Sequence, residues 1–323
     1  MPAKFTLLHD VGCFLEGTMR KSTPCVLWLN VAVLLGLPPA MLVLVPWYLI
    51  VYEIHRAELV AMGVLWALTG LGITAGYHRL FTHRSWAAPP SVRAVLSVLG
   101  GAAWENSVIE WAADHREHHS HEKTAEDPYA TGRGFWASHL GWALVPREDY
   151  DLSQRVSDLW EDPICRWQNR YYLPITLAFY LPVPLLLGLC TDRIGGMILF
   201  AGLVRIVVIH QTTFLINSAY LMWGGQSWSS RTSARDNWML AFLSLGEGYH
   251  NYHHAHPRAY RNGCRWYHFD PTKWVIWLLS KLGLAENLRR TSRGQSGSPE
   301  PDMASGKARI RRRRYQSLAR ADL

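Results

Sequence analysis

Leu59-Val-Ala-Met-Gly-Val-Leu-Trp-Ala-Leu-Thr-Gly-Leu-Gly-Ile-Thr-Ala-Gly-Tyr77 runs without a charge, and His78-Arg-Leu-Phe-Thr-His83 follows it directly. A membrane-spanning helix needs about 20 mainly apolar residues, so this stretch reads as a span whose end carries two imidazoles. Cys25 to Tyr52, Tyr171 to Cys190 and Ile194 to Gly224 are similar runs, the last broken only by Arg205 and His210. Four spans are predicted. Pro38, Pro39, Pro182 and Pro184 fall inside two of them, where a membrane bundle tolerates them as kinks. Core helices of a soluble protein are the other reading, but four such runs alternating with polar blocks speak against it. The first run starts well inside the chain, so no cleaved leader is expected.

Working outward from His78, two more clusters appear: His115-Arg-Glu-His118-His119 and His250-Asn-Tyr-His253-His254. Eight of the fifteen histidines sit in these three segments. Neutral imidazole offers a nitrogen lone pair near neutral pH and is the commonest metal ligand. On a helix, spacings of three and four bring such donors onto one face. No cysteine lies inside the clusters, which argues against thiolate zinc and iron–sulfur sites. Eight imidazoles exceed one tetrahedral zinc site and suit two metals with positions left open. Imidazole also accepts zinc, copper and nickel, so ligand type alone does not name iron.

Counting spans places the clusters together. An even number of crossings separates each from the N-terminus, so all eight histidines can meet on one side. Lys4, Arg20, Lys21 and the tail run Arg311 to Arg314 share that side, which the positive-inside rule makes cytoplasmic. Ser91 to Asp114 reads as interfacial helix, and Thr272 to Leu284 as an amphipathic helix on the membrane surface. Residues 1–24 form a cytoplasmic lead-in, 25–288 the catalytic domain, and 289–323 a basic tail expected to be disordered. Much of the net charge of +8 lies in that tail; a solvated, topology-setting tail accounts for it, and no nucleic-acid partner is expected. No internal repeat is evident. The five cysteines (13, 25, 165, 190 and 264) form no paired framework and are read as free thiols.

Gly72-Ile-Thr-Ala-Gly-Tyr-His78-Arg-Leu-Phe-Thr-His83-Arg-Ser resembles the first histidine box of membrane acyl-CoA desaturases of the stearoyl (Δ9) type. Trp111-Ala-Ala-Asp114-His115-Arg-Glu-His118-His119, with Glu126-Asp127-Pro128 after it, resembles the second. Gly246-Glu-Gly-Tyr-His250-Asn-Tyr-His253-His254, then Pro257 and Tyr260-Arg-Asn-Gly, resembles the third. The likeness implies an all-α integral membrane protein, with four transmembrane helices under a cytoplasmic helical cap that holds a di-metal site of two iron ions. It assigns His78, His83, His115, His119 and His253 to one iron, and His118, His250 and His254 to the other. The implied activity is insertion of a cis double bond into a saturated acyl chain with O2 and two electrons. No His-Pro-Gly-Gly haem segment is present, so electrons would come from a separate donor, cytochrome b5 or a ferredoxin with its reductase. The implied setting is a bacterial inner membrane or the endoplasmic reticulum, with membrane lipid around the spans.

The resemblance also assigns roles around the iron. Asn217 would act on the second iron through a water, and Asp114 would bind the acyl head or hold a ligand histidine. Trp66 would cap a substrate tunnel that Trp111 also lines. One departure stands out: the family's Asn-x-x-x-His at the end of the fourth span reads Asn217-Ser-Ala-Tyr220-Leu221 here. Water or Tyr220 could take the place of that ninth imidazole, or the second metal could bind weakly, while His210 is better suited to helix packing. Residue 113 is Ala, where mammalian members usually carry Arg, so acyl-lipid and acyl-carrier-protein substrates stay open beside fatty acyl-CoA. A related lipid oxygenase (hydroxylase, acetylenase or decarboxylase), a membrane zinc hydrolase and a weakly active lipid-binding homologue are the alternatives.

Overall fold

The structure is a computed structural model, and it describes residues 27–122, 124–129, 131–145 and 155–291. Among these the chain is helical; the only pairings of extended backbone are isolated bridges such as Ala87 with Glu286. Among the described residues, four helices are long and apolar enough to cross a membrane: Trp28–Val51, Arg56–Thr82, Tyr172–Thr191 and Ile194–Met222. Their outer faces are uncovered and apolar, with Leu42 78% and Ile50 85% exposed, which suits hydrocarbon and not water. The expected lead-in over 1–24, with Cys13 and the topology-setting Lys4, Arg20 and Lys21, lies outside the described residues, as does Cys25. So does the tail beyond Thr291, including Arg311 to Arg314.

The prolines act as expected of a membrane bundle. Pro38, Pro39 and Pro46 lie within the first span without ending it. In the third span, Leu181 departs from helical geometry just before Pro182, and the helix resumes over Pro182–Thr191. At the end away from the histidines, Glu58 ties the bundle together. It is fully buried, accepts from Tyr48 Oη at 2.8 Å, and meets Arg193 Nε at 3.0 Å. The first and second spans and the turn before the fourth are thereby joined by one carboxylate. Arg205, also fully buried, donates to the carbonyls of Ala201, Ala102 and Phe179. His210 reaches the carbonyls of Ala103 and Trp104 at 3.1 and 2.9 Å, the packing role expected of it.

The segment from Ser91 to Asp114 differs from its reading as one interfacial helix. It is two helices, Pro90–Gly101 and Val108–His121. Trp104 and Asn106 between them take left-handed backbone angles, φ 61° and 73°, which stop the first helix. Ser107 then starts the second by exchanging hydrogen bonds with Glu110, a reciprocal cap. The first of the pair packs on the end of the second span through glycines. A Cβ on Gly72 would strike the backbone of Leu99 and Gly100, and one on Gly100 would strike the Tyr77 ring. Pro271–Lys281 buries Thr272 and Ile276 while leaving Trp274, Trp277 and Leu278 exposed, an uncovered aromatic face of the kind expected at an interface.

Candidate metal centre

The two imidazoles of the first box are five residues apart, and an α-helix would turn them about 140° away from each other. The chain solves this by winding Gly72–Thr82 more loosely. The amide of His83 donates to the carbonyl of His78 at 3.1 Å, an i to i+5 bond. The two rings end on one face with centroids 4.9 Å apart. Such wide turns occur often at functional sites. In the second box the spacing is ordinary. His115 and His119, four apart on Val108–His121, face one group, while His118 points to the other.

Five Nε2 atoms lie in a chain of close contacts. His78 to His253 is 3.0 Å, His253 to His119 3.0 Å, His119 to His115 3.1 Å, and His115 to His83 3.0 Å. Metal–imidazole bonds of about 2.0–2.1 Å, set at right angles, separate neighbouring nitrogens by about 3.0 Å. Contacts of this length match neighbouring ligands on one metal: the ligand nitrogens of His78, His83, His115 and His253 lie within 4.8 Å of one another, and His119 joins them through His115 and His253. His118, His250 and His254 form a second group whose ligand nitrogens lie within 4.8 Å of one another. The His119 and His254 rings stack at 4.3 Å, so the two groups adjoin.

Carboxylates orient three of the rings from behind. His78 Nδ1 lies 2.9 Å from Glu247, His118 Nδ1 2.9 Å from Asp127, and His254 Nδ1 3.1 Å from Glu122. A partner on Nδ1 keeps the proton there and leaves Nε2 bare for a metal. Burial, aided by neighbouring imidazoles, pushes His83, His115, His119, His250 and His253 well below the usual histidine range. They are neutral, as ligands must be. Burial works against the charge on Glu247, but Arg79 and His78 outweigh it and hold the carboxyl at about 2. Arg79 is itself 1% exposed and also contacts Asp270 at 3.1 Å.

The donor set fits a di-metal centre. All eight predicted histidines converge: His78, His83, His115 and His253 form one group and His118, His250 and His254 another, with His119 within 3.0–3.1 Å of His253 and His115. Trp111 lies against them, stacked on His115 at 4.9 Å and edge-on to His78 at 5.9 Å. Trp66 is half-buried against the main core, its Nε1 enclosed without a partner. Asn217 is half-buried at the last residue before the fourth span breaks at Ser218, and its amide has no partner among the described residues. Asp114 is half-buried beside His115. Tyr220 is a correction: its hydroxyl donates to the carbonyl of Leu240 at 2.7 Å, so it is not poised as the missing ligand. Its ring edge nevertheless approaches His250 at 6.3 Å.

Sequence reading left Glu247, Glu122 and Arg79 without roles, although Glu247 lies inside the third box. It also passed over Glu105. That carboxylate accepts from Thr213 Oγ1 at 2.7 Å and Trp111 Nε1 at 3.4 Å, and burial pushes it up to about 7. Nothing in a sequence distinguishes such interior acids from solvated ones.

Residues 56–286 match the fatty acid desaturase family. The chain is 39% identical over 271 residues to acyl-CoA desaturase 1 of Saccharomyces cerevisiae, an alignment covering 82% of this chain and 52% of the yeast protein. It is 32% identical over 278 residues to the sn-2 palmitoyl-lipid 9-desaturase of Nostoc sp., with 83% and 92% covered. Stearoyl-CoA desaturase 5 of Homo sapiens is 35% identical over 242 residues, with 71% and 73% covered. The chain spans about half the length of the yeast proteins it matches.

Proposed function

The chain belongs to the fatty acid desaturase family, and on that premise we propose that it is a membrane-bound oxidoreductase that inserts a cis double bond, at Δ9, into a saturated fatty acyl chain. The observation that carries this is the convergence of eight imidazoles at one end of the second span, four with mutually close ligand nitrogens that His119 joins through His115 and His253, and three in a second group. Two irons held there would supply the oxidising power that removing hydrogen from an unactivated methylene demands, with O2 and two electrons consumed.

The chain's own residues do the rest. Glu247, Asp127 and Glu122 hold His78, His118 and His254 at fixed tautomers and angles. Trp111 presents an apolar wall beside His78 and His115, against which an acyl chain can lie. Trp66, twelve residues before His78, is about 18 Å further down the span and is assigned to the closed end of the tunnel. Regiochemistry then follows from position, because only a methylene held within about 3–3.5 Å reacts.

The head group is assigned to fatty acyl-CoA, with Asp114 near it. Acyl-lipid is the alternative, since Ala113 is fully buried and offers no cation to a phosphate. The metal centre is assigned to the cytoplasmic side, and the electron donor to a separate protein of the cytochrome b5 or ferredoxin type. A related di-iron lipid oxygenase is the second reading, favoured by the second group's having three imidazoles, with buried Leu221 at the end of the fourth span in place of the family's further histidine. Expression in a desaturase-deficient host, with lipids analysed by gas chromatography–mass spectrometry, tests the function. A cis-Δ9 monoene supports it; hydroxylated, acetylenic or shortened products select the second reading, and no new product sinks both.

A further inference from the structure

Among the described residues, Trp111, Tyr220 and Tyr129 are the oxidisable rings that approach the metal-binding imidazoles, and they lead in different directions. Trp111 stacks on His115 at 4.9 Å and continues to Tyr77 at 6.1 Å, but Tyr77 is fully buried among the spans. Tyr220 approaches His250 at 6.3 Å and is fully buried as well. Tyr129 leads outward. Its ring lies 4.9 Å from that of His118, and the Trp142 ring lies 4.8 Å further on. Exposure rises along this line, from 1% at His118 to 4% at Tyr129, and Trp142 is half-buried. Both ends are fixed. Asp127 holds His118 Nδ1 at 2.9 Å and accepts from the Tyr129 amide at 3.0 Å. Next to Trp142, the carbonyls of Ala143 and Leu144 accept from Asn30 Nδ2 at 2.7 Å and the Leu27 amide at 3.0 Å, at the start of the first span. Trp142 Nε1 is enclosed with no acceptor among the described residues, although a buried indole N–H usually finds one.

We propose that Tyr129 and Trp142 form an outlet for oxidising equivalents, carrying them from His118 towards the cap surface when no acyl chain is in place. The proposal rests on the desaturase reading above. Taking one O2 to two waters consumes four electrons and four protons. During desaturation the electron donor supplies two electrons, two C–H bonds supply two electrons and two protons, and solvent supplies the other protons. Without an acyl chain, two electrons and two protons are missing. Tyr129 supplies the electrons in two passages. In each, the phenol gives one electron towards His118 and its proton to water, leaving a neutral tyrosyl radical. Trp142 returns an electron to Tyr129, which regains a proton from water, while the indole keeps its own proton because Nε1 has no acceptor among the described residues. A small thiol at the cap surface then restores Trp142. Over two passages two thiols become one disulfide and release the two missing protons.

Ordinary ring packing is the competing account, and two features argue against it. The line runs outward from a metal-binding ring through two contacts of 4.9 and 4.8 Å. It also ends on an indole whose N–H the fold leaves unpaired. An enclosed reaction centre has to suppress side reactions, and oxidising equivalents without an outlet attack the side chains around them. Phenylalanine at either position would still pack and would conduct nothing.

Tyr129→Phe and Trp142→Phe are therefore the informative variants. The full chain, loaded with iron in lipid nanodiscs and reduced with stoichiometric dithionite, is mixed with O2 in buffer containing a small thiol and no acyl-CoA. Samples are freeze-quenched, and electron paramagnetic resonance reads organic radicals. The native protein is expected to give a tyrosyl signal that ring-deuterated tyrosine narrows and that stearoyl-CoA added beforehand suppresses. Tyr129→Phe loses this signal. Trp142→Phe prolongs it, because the tyrosyl radical is no longer refilled. Both variants retain bound iron and desaturation of stearoyl-CoA. An undiminished signal in Tyr129→Phe overturns the proposal, as does an unaltered radical lifetime in Trp142→Phe. Absence of any radical in native protein that consumes O2 and yields lipid product also overturns it and leaves the desaturase reading standing. Desaturation lost from iron-loaded Tyr129→Phe overturns it by placing that ring in the main reaction. A radical at Tyr129 with no lipid product from stearoyl-CoA faults the desaturase reading and leaves the outlet standing.

Discussion

The Nδ1 atom of His78 lies 2.9 Å from one oxygen of Glu247, and Arg79 Nη2 takes the other oxygen at 2.8 Å. A buried carboxylate therefore sits between a metal-binding imidazole and a buried guanidinium. It orients the ring, and the guanidinium keeps it ionised. Losing such an outer partner typically costs 10–100-fold in metal affinity or activity. Glu247→Gln is expected to keep the fold, since an amide oxygen still accepts from Arg79, and to lower iron affinity by roughly that factor. Iron retention against a chelator series measures it. Retention equal to the native protein would show that Glu247 does not govern His78.

The same pair sets an acid limit on stability. Glu247 and Glu122 are each held at about 2, below the ordinary 4.5. A carboxyl depressed in the folded state contributes stability that is complete above its unfolded value and is lost as pH falls through the folded value. Thermal unfolding of the purified protein should thus weaken progressively between about pH 4.5 and pH 2. In Glu247→Gln that slope should be shallower. An identical pH profile in the variant would mean that Glu247 is not ionised in the native protein.

At the three-imidazole group, His118→Ala is expected to abolish turnover while leaving membrane insertion intact, because insertion depends on the spans. Purified native protein should approach two irons per chain. Leu221, 8% exposed in the short helix Ala219–Met222, stands at the sequence position where the family pattern carries a further histidine. Leu221→His should raise iron occupancy at the second site or shift the product mixture. If metal analysis and product profile both stay unchanged, that helix end does not face the metal.

Trp66→Ala should shift preference toward longer acyl chains without moving the double bond relative to the carboxyl end, which the head group registers. The half-buried indole, with its Nε1 enclosed and unpartnered, is the observation behind this. Competition between acyl-CoAs of different length reads the change. A normal turnover with an unaltered length profile would place Trp66 outside the tunnel.

Sidedness has a direct test in two thiols. Cys190 is exposed at the far end of the third span, and Cys264 is half-buried in the cap. With single-cysteine proteins in intact bacterial cells, a membrane-impermeant thiol reagent is expected to label Cys190 and to spare Cys264 until the cells are opened. Labelling of Cys264 in intact cells would reverse the assigned orientation.

Much of this was legible before any fold was known. Apolar runs long enough to cross a bilayer state their own burial, because hydrocarbon leaves the backbone no partner but itself. Cluster spacing and span parity predicted that eight histidines would meet, and they do. Two readings needed the structure to correct them. Ser91 to Asp114 is broken by left-handed turns at Trp104 and Asn106 that no periodicity shows. Tyr220 is turned away from the metal group by a carbonyl twenty residues later in the chain.

By itself the sequence determined the number of apolar runs, the clustering of the eight imidazoles and the even span count that lets the three boxes share one side, since each is a local or counting property. The tertiary structure alone decided which acids stand behind which imidazoles and how His78 and His83 come to share a face. Those depend on a loosened helical turn and on contacts between segments more than a hundred residues apart, such as His78 with Glu247 and His253. Their energies come from burial and pairing, and neither quantity exists until the chain has closed on itself.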